Sequence, residues 1–266
     1  VETPSGIVAA FFAGTHEKNP DVGIWVSHLG DGQWTRPVEV ANGVQNKDLR
    51  YPTWNPVLFQ PKEGPLMLFY KVGPDPRGWW GMLMTSEDDG KTWSEPRKLG
   101  EDPAVGPLLG PVKNKAVQLE DGTIIAPTSI ERKHDDDVFW MVHFEMSKDN
   151  GQTWEVVGPI NDGVEFDAIQ PSILFHKDGS LQILSESWST DNGQTWSPMK
   201  ATSLPNPNSG TDAVTLADGR QLLIYNHSTK EGEEPKGRNI LNLAISDDGK
   251  DWKPFMTLEN EPNESG

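Results

Sequence analysis

Short apolar runs alternate with turn residues along the whole chain, and the runs come in pairs. Ala116–Leu119 and Thr123–Ala126 flank Glu120-Asp121-Gly122, and Ser172–Phe175 and Leu181–Leu184 flank Lys177-Asp178-Gly179. Apolar runs this short, separated by a turn that ends in glycine, predict β-hairpins, because glycine takes up the positive φ a tight turn needs. The same arrangement recurs at Pro4-Ser5-Gly6, Lys62-Glu63-Gly64 and Ala217-Asp218-Gly219.

A second repeat runs in phase with the hairpins. Ser86–Trp93, Ser147–Trp154 and Ser189–Trp196 all read Ser-x-Asp-x-Gly-x-Thr-Trp. Ser246–Trp252 is one residue shorter, and Ser27–Trp34 carries Leu29 where the aspartate belongs. The tryptophans recur at intervals of 59, 61, 42 and 56 residues. Each unit then reads as strand, Gly turn, strand, polar loop, strand, Asp-Gly turn, strand. Four strands in roughly 40–60 residues predict a propeller blade. In this motif the aspartate accepts turn N–H groups, the glycine supplies positive φ and the tryptophan packs between blades.

Composition agrees with an all-β reading and narrows the partners. Only 35% of residues are apolar, while Gly (26), Pro (22) and Trp (11) are abundant, which suits short strands and tight turns. No apolar run is long enough to predict a membrane span. A net charge of −17 argues against nucleic acid and anionic membranes, both of which need basic surfaces. Without cysteine, disulfides and thiolate metal sites are excluded. No cofactor is expected: His16 and His227 lack a ligand partner at metal spacing, and Asp135–Asp137 reads as a solvated loop.

The Ser-x-Asp-x-Gly-x-Thr-Trp segments are Asp-boxes, also called bacterial neuraminidase repeats, and the chain resembles the sialidase (neuraminidase) superfamily along its length. Asn55-Pro56-Val57-Leu58, Gly110–Lys115 and Gln170-Pro171-Ser172-Ile173 are most similar to bacterial neuraminidase-like proteins. The resemblance implies a single all-β, six-bladed β-propeller over residues 1–266, with box turns on one rim and the site on the other. It implies a carbohydrate partner and a place outside the cytoplasm, with any leader outside this sequence.

The superfamily's retaining members grip the substrate carboxylate with three arginines, use an Asp as acid/base, and use a Tyr activated by a Glu as nucleophile. Carried over by topology, the acid/base role falls on Asp21, with Glu17 in reserve, and the third arginine on Arg238. Gln170 stands where the activating Glu belongs, and Ser185-Glu186 where the second arginine belongs. The first arginine and the tyrosine fall before Val1 and after Gly266. The chain therefore reads as incomplete at both ends, and also between Ser185 and Glu186, where a rim loop is almost absent.

Other rim residues complete the expected site. Arg50 with Trp54 and Asn55 pairs a cation with an aromatic platform suited to a sugar acid. Lys113, Asn114 and Lys115 open an inner strand as a local basic patch, and Asn208 and Asp212 open another. Trp79 and Trp80 are further stacking candidates. A glycan-cleaving enzyme would set Asp21 or Glu17 against Asp212 as its carboxylate pair, with their spacing deciding retention or inversion. A binding propeller without catalysis would pair its rim carboxylates with Lys or Arg. A polysaccharide lyase would need Lys71 or His227 as its base.

Overall fold

The computed structural model describes residues 1–134, 137–184, 186–207, 209–229 and 237–261. Among them there is no helix, and the chain divides into two compact units, Val1–Pro159 and Ile160–Gly266. Unit 1 holds three antiparallel blade sheets. The first runs Glu2–Thr3, Gly6–Ala13 and Gly23–Gly30, with Gln33–Trp34 and Val38–Ala41 beside the third strand. The second runs Thr53–Phe59, Leu66–Val72, Trp80–Ser86 and Arg97–Lys98, and the third Val117–Gln118, Ile124–His134, Asp137–Ser147 and Glu155–Val157.

Unit 2 holds two more. One has three strands, Ile173–Phe175, Leu181–Ile183 and Ser187–Ser189; the other has four, Asp212–Thr215, Gln221–Tyr225, Leu241–Ser246 and Lys253–Glu259. The fold is an all-β propeller type in which every sheet is an antiparallel meander. Its blade sheets number five among the described residues, not six. The five boxes account for these five sheets; the sixth came from the resemblance and had no repeat behind it. The break expected between Ser185 and Glu186 falls at Ser185, outside the described residues.

Central strands are covered on both faces, so they read as continuous apolar runs instead of alternating ones. Leu66–Val72 is buried at every position: Met67 and Phe69 pack into one core with Leu83, Ile124 and Trp154, while Leu66, Leu68, Tyr70 and Val72 face a second with Ile24 and Val26. The five Gly turns appear as expected, with Gly6, Gly64, Gly122, Gly179 and Gly219 at φ 128°, 107°, 88°, 85° and 89°.

The Asp-box turns explain their own sequence. Asp149 Oδ1 accepts the Thr153 N–H at 2.9 Å and the Ser147 hydroxyl at 2.8 Å, and Oδ2 accepts the Thr153 hydroxyl at 2.6 Å. Ser147 Oγ accepts the Gly151 N–H at 2.7 Å, and the Trp154 indole donates back to the Gly151 carbonyl at 3.1 Å. Ser86–Trp93 and Ser189–Trp196 repeat the Ser–Asp–Thr network. Neighbouring sheets clamp the turns: His28 reaches the Asp89 carbonyl, Arg97 the Gly151 carbonyl, and Gln182 the Gly249 carbonyl.

Hydrogen bonds from Thr92 and Ser86 pull the Asp88 carboxyl down to about 2, and those from Thr153 do the same for Asp149. A depressed folded-state pKa stabilises the fold above the unfolded value of 3.8 and stops doing so as pH falls toward 2. Thermal melts between those two pH values should therefore fall steeply in the natural chain. An Asp88→Asn/Asp149→Asn double variant should show a flatter profile.

Candidate functional site

Unit 1 carries most of the expected rim residues, and the structure joins two of them. Asp21 sits in the loop between the first sheet's second and third strands. Its carboxylate accepts the Thr15 N–H at 3.1 Å and the Thr15 hydroxyl at 2.5 Å. Arg50, 29 residues away in the chain, donates from Nη2 to the Asp21 carbonyl at 2.9 Å and lies 3.7 Å from Glu39. The Thr15 hydroxyl first, then its N–H, hold the Asp21 carboxyl below the usual carboxylate range. Asp21 is thus an ionised, exposed group with a guanidinium alongside. Glu17 is exposed in the same loop.

Two expected binding residues are in the core instead. Trp54 is only 2% exposed, donates its indole N–H to the Gly73 carbonyl at 2.9 Å, and packs edge-on against Trp79 at 6.0 Å. It braces the rim and offers no sugar platform. Trp80 is half-buried, meets Tyr51 edge-on at 5.8 Å, and has the Lys98 ammonium 4.5 Å above its ring. Lys113 and Lys115 are exposed while Asn114, between them, is buried; the three lie in and just after a bend, before the strand Val117–Gln118, and do not open it as expected. The basic patch is therefore two lysines, without the amide.

Asn55 is half-buried at φ 40°, just before Pro56, and its position coincides with a register shift between Trp54 and Val57. Gly110 precedes Pro111 at φ 64° in the segment leading to the next sheet, where a Cβ would come within 2.7 Å of the Phe69 ring. Gln170, in unit 2, repeats the arrangement before Pro171 at φ 55°. A left-handed non-glycine residue costs roughly 1–2 kcal/mol, and such residues gather at functional sites.

Beneath the unit 1 rim lies a buried polar cluster that sequence reasoning largely missed. Lys71, Glu145, His143 and Thr128 all have 0% exposure. Lys71 Nζ donates to the Pro111 carbonyl, to Val112 O at 3.4 Å and to Asn55 O at 3.5 Å. Glu145 accepts the N–H groups of Leu109 at 2.8 Å and Gly110 at 2.7 Å, and faces His143 Nε2 at 3.3 Å. His143 Nδ1 has no partner, which assigns the proton to Nε2, facing Glu145. The sequence signal was a charged or polar residue inside an apolar strand: Lys71 within Leu66–Val72, and His143 and Glu145 two apart within Asp137–Ser147.

Burial pushes the Lys71 amine down to about 7, against the opposing pull of Glu145. Between that value and the 10.5 of the unfolded chain, only the unfolded state holds the extra proton, so stability should climb as pH rises from 7. Chemical denaturation at pH 7 and pH 9 checks this. The rise should be absent from Lys71→Met.

Unit 2 carries Gln170, Asp212 and Arg238. The Ser172 hydroxyl donates to Asp212 Oδ1 at 3.0 Å, and the Ala213 N–H donates to the same oxygen at 2.9 Å. Arg238 is exposed and its carbonyl accepts from Asn226 at 3.4 Å. Asn208 lies outside the described residues, as do Asp135 and Asp136. The Tyr225 hydroxyl pairs with His227 Nδ1, and burial pushes the Tyr225 phenol up to about 12.

A BNR repeat-like domain model matches residues 5–266. The chain belongs to the BNR repeat-like domain family. A "Sialidase" from Bacteroides fragilis (strain YCH46) is 26% identical over 224 residues, covering 71% of this chain and 39% of that protein. The chain thus spans about two fifths of the length of this curated relative. The "Hadza microbial sialidase Hz136" superposes with a TM-score of 0.77 at 19% identity, covering 98% of this chain and 57% of that one. A protein of unknown function from Dyadobacter fermentans DSM 18053 superposes at 0.75 with 18% identity, over 98% of this chain and 82% of that one. At these identities the superpositions establish a sialidase-like fold.

The resemblance sets Gln170 at the place of the activating glutamate of the retaining sialidases. A neutral amide has no proton-accepting role toward a phenol. The lyase reading loses its first base as well. Lys71 is fully buried and donates to backbone carbonyls, whereas His227 meets the Tyr225 hydroxyl through Nδ1 alone.

Proposed function

We propose that this protein processes glycans as a glycoside hydrolase, acting on a terminal acidic sugar through a site that differs from the retaining sialidases. The observation that carries the reading is the pairing of Asp21 with Arg50 on the unit 1 rim, 2.9 Å apart through the Asp21 carbonyl. A carboxylate beside a guanidinium provides a proton-handling group and an anchor for a sugar carboxylate. Lys113 and Lys115 add positive charge to a chain that is otherwise strongly acidic, and Asn55 supplies a further polar contact on unit 1. Lysine gives a point charge without the bidentate match of arginine, so the carboxylate is held less tightly than by three arginines.

A second reading, glycan binding without hydrolysis, draws on the state of Asp21. A general acid needs a raised pKa, whereas Thr15 holds this carboxyl low. Screening the full-length protein against aryl glycosides and uronate-bearing or sialylated oligosaccharides separates the two. Release of the aryl group supports hydrolysis; saturable binding with no product supports the second reading.

A further inference from the structure

The backbone between Leu109 and Val112 is buried but belongs to no sheet. Buried peptide groups outside a sheet need partners, because an unpaired one carries the full cost of its desolvation. Side chains from two other strands supply them. Glu145 takes the N–H groups of Leu109 and Gly110, the Thr128 hydroxyl takes the Gly110 carbonyl at 2.9 Å, and Lys71 takes the carbonyls of Pro111 and Val112. Every one of these side chains has 0% exposure. Lys71 also reaches the carbonyl of left-handed Asn55, so one amine ties the irregular point of the Thr53–Phe59 strand to the segment that leads to the next sheet.

We infer that Lys71 and Glu145 are a positioning pair. They fix the Leu109–Val112 segment and Asn55, and through them set where Lys113 and Lys115 stand on the rim. The consequence for ligand rests on the proposed function; the clamp itself does not. A purely stabilising role does not explain the choice of residues, because buried charged groups are often matched or exceeded in stability by apolar residues of the same volume. What apolar side chains could not supply is a set of hydrogen bonds to five particular backbone groups. No ligand reaches either side chain, so neither is a catalytic residue.

The test uses the full chain with Lys71→Met, Glu145→Gln and the double variant, and Thr128→Val as a milder change at the same segment. Each is read by melting temperature, by amide hydrogen exchange over residues 108–115, and by affinity for 3′-sialyllactose. The single variants should melt lower, since each strands a buried charge. The double variant should regain most of that melting temperature while its 108–115 exchange stays about tenfold or more above the natural chain, the factor expected from losing one such hydrogen bond. Its sialyllactose affinity should stay about ten- to a hundredfold weaker, as expected for a binding group displaced by an ångström. Thr128→Val should raise exchange in the same segment by a smaller factor.

Wild-type exchange at 108–115 in the double variant, or in Thr128→Val if the double variant does not fold, would overturn the clamp. Raised exchange with unchanged affinity would overturn its role in positioning. A natural chain that binds no acidic sugar would refute the proposed function instead, and the exchange comparison would still decide whether the pair holds the segment.

Discussion

Glu145→Ala is expected to destabilise the protein by about 3–5 kcal/mol, the range for removing one partner of a buried charge pair. Three losses act together at this position. The N–H groups of Leu109 and Gly110 lose their acceptor, the buried Lys71 amine loses the negative charge that favours its protonated form, and His143 Nε2 faces a void. For a chain of this length the melting temperature should drop by on the order of 10 °C. Differential scanning calorimetry measures this directly. A drop no larger than that of an exposed control such as Glu155→Ala would contradict the buried network as described.

The second large effect concerns chemistry on the unit 1 rim. On any glycoside the protein hydrolyses, Asp21→Asn should lower kcat by about 10²–10⁴, the usual contribution of a positioned proton-transfer group. The fold should survive, because Asp21 is exposed and the amide oxygen can still accept from Thr15. Arg50→Ala should act differently. It removes an anchor, so KM for an acidic substrate should rise by about ten- to a hundredfold, as for a lost hydrogen bond to a charged group. Neutral aryl glycosides should feel Arg50→Ala much less. Steady-state kinetics on one acidic and one neutral substrate separates the two residues, and equal effects on both substrates would remove Arg50 from carboxylate recognition.

The turns of this fold were readable because each box residue has a local task. Ser147, Asp149, Gly151 and Thr153 bond to one another within a few positions, so sequence spacing alone specifies the geometry. The number of blades was not readable in the same way; the repeats count five, and only the resemblance called for a sixth. The rim was harder still, because its geometry depends on contacts remote in sequence. Trp54 sits in a rim segment, yet its ring turns inward to meet Gly73 and Trp79. Lys71 was noticed as a possible base, but its burial depends on carbonyls about 40 residues further along the chain. No local pattern encodes that.

Hydrolysis of a fluorogenic sialoside by the full-length protein, beside its Asp21→Asn variant, tests the central claim most directly. The resemblance sets Gln170 where the acid that activates a tyrosine belongs, and on that proposal little or no release from the sialoside is expected. Better turnover or binding is expected of another acidic, or a neutral, glycoside. Rapid sialoside turnover that Asp21→Asn abolishes would contradict this and make the protein an ordinary sialidase.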